Sequence, residues 1–163
     1  MMGHEHHKDI AVKAAVITVS TSRTEKTDLS GQIIREAFEN AGMEVVFQTL
    51  VPDVMEQISA AVTEAVSSAN CVVVTGGTGL TRDDCTIEAV APMFRKTMDG
   101  FGELFRQMSF AQVKTSVLLS RATAGLIGDA AVFCIPGSPK AVKLATEDII
   151  VPEIKHILTH AGQ

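Results

Sequence analysis

The chain has 163 residues, enough to bury a substantial core in one domain and too few to make two domains a good reading. Its 14 basic and 19 acidic residues give a formal charge of −5, with no Lys/Arg-rich run, which argues against a nucleic-acid surface. At 46% hydrophobic and 20% charged, it is rich in apolar residues for a monomer, and that balance points to a surface buried between subunits.

Residues 1–10 read as a flexible polar tail ahead of a single domain over residues 11–163. The tail carries His4, Glu5, His6 and His7 and has no apolar stretch, so it is neither a signal peptide nor a membrane anchor, and a cytoplasmic protein is expected. Its histidines suit a transition metal or are simply terminal residues. Cys71, Cys85 and Cys134 are odd in number and lack CxxC spacing, as reduced thiols would.

Residues 11–20 (AVKAAVITVS) are apolar after Lys13 and rich in β-branched side chains, the pattern of a central strand buried on both faces. A hydroxyl-rich loop follows, Ser20 to Thr24, which by itself reads as a solvated turn. Asp28 and Ser30 are cap candidates for a helix with Ile33, Ile34, Ala37, Phe38 and Ala41 at helical spacing, and Gly42 sits where a left-handed C-cap belongs. Residues 43–50 form a second strand. Asp53 then stands at the N-cap of a helix whose stripe is Val54, Ile58, Ala61, Val62, Ala65 and Val66.

The third strand, residues 71–75 (CVVVT), runs into Gly76, Gly77, Thr78 and Gly79 and then into acids just before a helix starting near Thr86. Strand, glycine loop and helix start can cradle an anion, because converging N–H groups meet phosphate oxygens where the helix end adds positive potential. No Lys-Ser/Thr pair follows the last glycine, so this is not a Walker A loop, and no GxGxxG fingerprint is present. A tight turn without ligand is the plain alternative. Asp83 and Asp84 would repel a phosphate unless a cation such as Mg²⁺ bridged them, whereas Asp84 as a simple helix cap needs no metal. Alternating strands and helices of crossover length predict an α/β fold: a three-layer αβα sandwich on a mostly parallel mixed sheet. Ligands then bind beyond the C-terminal strand ends, the edge shared by Ser20, Asp53 and Gly76.

Residues 93–110 hold four of the seven Phe and three of the seven Met, a density that suits core or subunit packing. Gly100 and Gly102 suggest a turn before a short helix from Glu103. Residues 116–125 read as a strand, residues 126–129 as a turn and residues 130–135 as another strand. A connection so short forbids a parallel crossover, so one strand of the sheet should be reversed. Ser138 and Pro139 mark the N-cap and N1 of the next helix, and Pro152 starts or kinks the last one, with Ile150, Ile154, Ile157, Leu158 and Ala161 facing inward.

TGGTGLTRDDCTIE (75–88), with ITVSTSRTEKTDLSG (17–31), VPD (51–53), SRATAG (120–125) and PGSPKAV (136–142), resembles the MoaB/MogA family of molybdenum cofactor biosynthesis, nearly end to end and in order. The resemblance implies a molybdopterin-binding domain that adenylylates molybdopterin with ATP and Mg²⁺ and releases pyrophosphate. It implies Asp84 and Asp53 as catalytic, Mg²⁺-holding carboxylates. It implies nucleotide and phosphate contacts from Ser20, Ser22, Arg23, Gly76, Gly77, Thr78 and Gly79, faced by a second cradle of Pro136, Gly137 and Ser138. Glu103, Arg106 and Ser109 become substrate-side candidates, against an ordinary surface ion pair of Glu103 and Arg106. Asp83 stands where the family often has Arg or Gly, which makes the site more acidic and keeps a non-catalytic molybdopterin or nucleotide carrier as the alternative. Partners are then molybdopterin, ATP and copies of the chain itself, as a MoaB-like hexamer or a MogA-like trimer, the short chain and the ITVSTSRT start favouring the hexamer.

Overall fold

The computed structural model describes residues 10–163; the tail reading falls on residues 1–9, outside the described residues. The first strand, β1 (Lys13–Val19), has an exposed Lys13 and six buried residues after it. A strand alternates its side chains between two faces, and here both faces are covered. Ala14 and Val16 join one core cluster with Ile34, Phe38, Phe133 and Ile154, while Ala15 and Ile17 join a second with Ile58, Val62 and Val90. Each fully buried Phe, Ile or Val contributes about 1.5–3 kcal/mol by leaving water, so both faces are required for stability.

Six strands form one sheet in the order β2-β1-β3-β6-β5-β4. β2 (Glu44–Val51) pairs in parallel with β1, β1 with β3 (Cys71–Thr75), and β3 with β6 (Ala130–Ile135). The short turn predicted between residues 126 and 129 makes β5 (Thr123–Ile127) antiparallel to β6, so β5 is the reversed strand of a mixed sheet. A two-residue strand that the sequence did not signal, β4 (Lys96–Thr97), closes the edge against β5.

Helix α1 (Leu29–Asn40) begins at Asp28, whose carboxylate accepts the Gly31 N–H at 3.0 Å and the buried Thr18 hydroxyl at 2.6 Å. It ends before Gly42, which holds φ +76°. Helix α2 (Met55–Val66) buries Ile58, Ala61, Val62 and Ala65 on the other face of the sheet. Short α3 (Thr86–Val90) follows the glycine loop.

Helix α4 (Asp99–Val113) corrects the expected glycine turn: it runs straight through Gly100 and Gly102 and begins four residues before Glu103. Gly102 serves close approach, since a Cβ there would lie 2.7 Å from the Ala122 carbonyl oxygen and from the Arg106 guanidinium. Phe101 and Phe105 are core residues, Phe101 meeting Phe133 edge to face at 5.1 Å, whereas Phe110 is exposed. The expected strand over residues 116–125 is also shorter. Its first half is a 3₁₀ turn, Lys114–Leu119, with Leu118 80% exposed, and pairing begins only at Thr123. Helix α5 (Pro139–Ala145) continues through a π-helical turn, Thr146–Ile150, into α6 (Val151–Ala161). Pro152 follows the widened π turn directly, and in a helix that runs on without a break that local rearrangement is where the N–H missing at Pro152 is accommodated. Ile150, Ile154, Leu158 and Ala161 are buried, and Ile157 is half-buried.

Candidate functional site

β1, β2, β3 and β6 all deliver their C-terminal ends to one edge, and the segments leaving them are stitched to one another. Gly76 donates its N–H to the Ile135 carbonyl at 2.9 Å, and the Thr75 hydroxyl donates to the Pro136 carbonyl at 2.9 Å. The Ser30 hydroxyl donates to the Gly137 carbonyl at 2.6 Å, and the Arg23 guanidinium reaches Ser30 Oγ at 3.3 Å. Gly76 and Gly137 approach so closely that a Cβ on Gly137 would lie 3.3 Å from the Gly76 Cα. The loop after β3 and the loop after β6 thus form one double floor.

Gly76 and Gly77 both have positive φ, +99° and +69°, a region that glycine enters without strain. A side chain on Gly76 would strike the Val19 carbonyl, and one on Gly77 the Thr86 hydroxyl. Thr86 is fully buried; its hydroxyl donates to the Gly76 carbonyl at 2.7 Å and its N–H to the Gly77 carbonyl at 3.0 Å. The start of α3 therefore holds the loop.

Two carboxylates rim this floor, and neither caps a helix as its sequence position suggests. The residue preceding α2 is Val54, and Asp53 instead accepts the Thr21 hydroxyl at 2.8 Å. The residue preceding α3 is Cys85, and Asp84 Oδ2 accepts the N–H and the hydroxyl of Thr81 at 3.0 and 2.9 Å. Both acids press on the glycine loop: a Cβ on Gly79 would lie 2.7 Å from Asp84 Oδ2, and one on Gly77 would lie 3.3 Å from Asp53 Oδ1. Asp83 is exposed.

The surface above the floor is a continuous groove. A cavity of about 320 Å³ is lined by Ser20, Thr21, Ser22, Arg23, Asp53, Gly76, Gly77, Asp84 and Gly137. It shares Gly77, Asp84 and Gly137 with one of about 310 Å³ that adds Thr78, Gly79, Leu119 and Pro136. That one in turn shares Ser116, Ser120 and Pro136 with an apolar cavity of about 570 Å³ against Phe105, Arg106, Ser109, Ser138 and Lys140. The nucleotide candidates lie at one end and the middle, while Arg106 and Ser109 lie at the other. Glu103 is exposed on α4 and lines none of the three, and Arg106 donates to the Ala122 carbonyl at 3.0 Å and makes no ion pair with it. Ser109 Oγ is buried without a hydrogen-bond partner, on a residue that lines the apolar cavity.

Arg121 braces the glycine loop and was not singled out by residue type. Its Nε donates to the carbonyls of Thr78 and Gly79, at 3.3 and 2.9 Å, and its guanidinium forms a two-pronged pair with Glu88 of α3. The only signal was its place in the SRATAG stretch. The hydrogen bond from Arg121 holds the Glu88 carboxyl below its ordinary range. Its contribution is therefore fully present above the unfolded glutamate value of about 4.3 and is lost as pH falls through the lower folded value. Arg121→Ala should release the loop, lowering stability by about 1–2 kcal/mol, with faster amide exchange at residues 76–79 as the direct readout. Cys85, beside the rim, is pushed up by partial burial and then by Asp53, Glu88, Asp84 and Glu56, which keeps it a thiol at neutral pH. Burial pushes Cys71 and Cys134 up as well, Cys134 to about 12, as expected of inert core thiols.

A mixed α/β sheet with a glycine floor, two rim carboxylates and a groove at its carboxyl edge defines a ligand-binding domain of the doubly wound kind. Residues 15–156 match the family model described as a probable molybdopterin binding domain, and the chain belongs to that family. It is 42% identical over 158 residues to the molybdenum cofactor biosynthesis protein B of Bacillus cereus, covering 94% of each chain. It is 44% identical over 151 residues to the protein of that name from Staphylococcus aureus, covering 90% of each. The crystal structure of the tungsten cofactor synthesizing protein MoaB from Pyrococcus furiosus superposes with a TM-score of 0.87 at 41% identity, over 96% of this chain and all of that one.

Proposed function

We propose that the protein acts in molybdenum cofactor biosynthesis by adenylylating molybdopterin with Mg-ATP. The observation that carries this reading is the convergence of Asp53 and Asp84 on a glycine floor of phosphate-binding type, within one groove that continues into an apolar cavity. In the proposed step an oxygen of the molybdopterin phosphate bonds to the α-phosphorus of ATP. The bond from that phosphorus to the bridging oxygen breaks, and pyrophosphate leaves with the electron pair.

The chain's own work is binding and positioning, since phosphoryl-type transfer needs little covalent help. N–H groups of residues 77–79 and hydroxyls of Ser20, Ser22 and Ser138 would receive phosphate and ribose oxygens, while the Gly76 N–H, held by the Ile135 carbonyl, fixes the loop. Arg121 is engaged by the Thr78 and Gly79 carbonyls and by Glu88, whereas Arg23 lines the groove and touches Ser30 and the Gly137 carbonyl through Nη1, so its other N–H groups would meet phosphate oxygens. Asp84 and Asp53 would hold Mg²⁺, which supplies charge neutralisation of the triphosphate. Among the described residues no group of three or more His, Cys, Asp or Glu forms a metal cage. Two carboxylates fit Mg²⁺, which keeps several waters and substrate phosphates as ligands. The apolar cavity, with Arg106 and Ser109 on its wall, would take the pterin end.

Incubation with molybdopterin, ATP and Mg²⁺ tests the reading by the appearance of adenylylated pterin and pyrophosphate. Neither product, with ligand binding intact, would make the protein a carrier. The same reading includes assembly into a hexamer. Val113, Leu118, Leu119 and Phe110 expose 48–80% of their surface at the end of α4 and in the turn after it, an apolar patch that self-association would cover. Light scattering should give a multiple of the chain mass, and a stable monomer at micromolar concentration would refute it.

A further inference from the structure

We propose, on the reading that an acceptor phosphate meets Mg-ATP in this groove, that Lys140 and Arg106 bind that phosphate at the throat between the middle and the apolar cavities. The groove then selects flat heterocycles that carry a phosphomonoester over their neutral forms. Ser116, Ser120 and Pro136 line both cavities and define the throat. Arg106 approaches it from α4, its Nη1 reaching the Ser120 carbonyl at 3.5 Å and the Ala122 carbonyl at 3.0 Å. Lys140 approaches it from the other wall: it is the second residue of α5, four residues after Pro136, and lines the apolar cavity with Arg106.

The chain carries a formal charge of −5, yet no Asp or Glu lines the apolar cavity, whereas Asp53 and Asp84 stand on the other two. Among the described residues neither Lys140 nor Arg106 forms an ion pair. Arg106 is half-buried, and a guanidinium drawn partly out of water with no carboxylate beside it gains from an anionic ligand. Two anions have to approach one another in the proposed transfer, so the acceptor phosphate needs cations of its own, apart from the metal held by Asp53 and Asp84. Arg121 is committed to Glu88 and the glycine loop, and Arg23 lines the far cavity, which leaves Arg106 and Lys140 for that task. Beyond the throat, Phe105, Val113 and Val117 wall the apolar cavity and suit a flat ring. Ser109, on the same wall, has a buried hydroxyl without a partner, which a ring nitrogen or carbonyl would satisfy.

The probes are 6-hydroxymethylpterin and its phosphate ester, which share one fluorescent ring and differ only in the phosphate. Fluorescence titration of the full-length chain without ATP, at low ionic strength, should show the ester bound at least about tenfold tighter than the alcohol. Lys140→Gln should weaken the ester by at least about fivefold and leave the alcohol unchanged, since Lys140 is exposed and supports no other contact. Lys140→Arg should keep most of the preference, and added salt should erode it more in the parent chain than in Lys140→Gln. Arg106→Gln should reduce it further; because that guanidinium also holds the Ala122 carbonyl, Lys140 carries the test alone if this variant does not fold. Ser109→Ala should weaken ester and alcohol equally, by about threefold to tenfold, with the ligand-free melting temperature unchanged or raised. Adding α,β-methylene-ATP with Mg²⁺ should leave the ester bound, whereas its displacement would put the phosphate on the glycine floor and overturn the assignment. Failure of adenylyl transfer while the charge preference holds refutes the Mg-ATP reading and not the throat. Equal affinities for ester and alcohol, no binding of the ester, or a preference indifferent to Lys140→Gln overturns the throat whatever the turnover.

Discussion

Asp84→Asn is expected to slow adenylyl transfer by at least about a hundredfold at saturating Mg-ATP, about 3 kcal/mol of transition-state stabilisation, with little change in melting temperature. The expectation of stable folding follows from the local bonding. Asp84 Oδ2 closes a turn by accepting the Thr81 N–H and hydroxyl, and an Asn side-chain oxygen can accept both. What Asn lacks is the negative charge that would hold Mg²⁺ at the rim shared with Asp53. Asp83→Asn is the control. It removes an equal charge one residue earlier from an exposed position that lines none of the groove cavities, and should be mild or favourable to ATP binding. Small and equal effects of the two changes would mean that the carboxylate serving the metal is elsewhere. A comparable collapse of melting temperature with Asp84→Asn would instead make the turn, and not the charge, its contribution.

The central strands were legible because burial on both faces leaves a continuous apolar run, as in β1, β3 and β6, and no other element of this chain needs one. The reversed strand was legible from connection length alone. Residues 116–119 misled for a related reason. An apolar stretch such as Val117–Leu119 looks like a strand whether its side chains meet a sheet or, as with Leu118, are exposed. Gly100 and Gly102 carry turn chemistry in isolation, but the contact that selects glycine at 102 comes from Ala122, twenty residues on. Asp53 and Asp84 have the right residue type for caps, and the hydroxyl that claims Asp53, Thr21, lies 32 residues away, beyond the reach of any local spacing. The Arg121–Glu88 pair joins residues 33 apart across the end of the sheet, so only the folded arrangement of β3, α3 and β5 brings it to the glycine loop.

Gly76→Ala should be the most damaging single-methyl change in the site, costing about 3 kcal/mol or more and lowering the melting temperature by roughly 6–12 °C. Two separate effects add there. Gly76 holds φ +99°, where any L side chain is strained, and the added carbon would strike the Val19 carbonyl, part of the neighbouring parallel strand. A backbone atom fixed in the sheet cannot rotate aside as a flexible side chain does, so the loop must lift from the end of β1 and carry Gly77 and the Gly137 contact with it. Two other glycines separate the terms. Gly42 has φ +76° with nothing within 4 Å of a Cβ, so Gly42→Ala should show the strain alone, about 1 kcal/mol. Gly100 lies in the first turn of α4 with no positive φ and open space around it, so Gly100→Ala should be neutral or stabilising by up to about 1 kcal/mol. Chemical unfolding of the three variants orders them Gly76, Gly42, Gly100 from largest loss to none. If Gly76→Ala falls level with Gly42→Ala, the Val19 carbonyl does not confine the loop, and the close packing of the cradle on β1 is refuted.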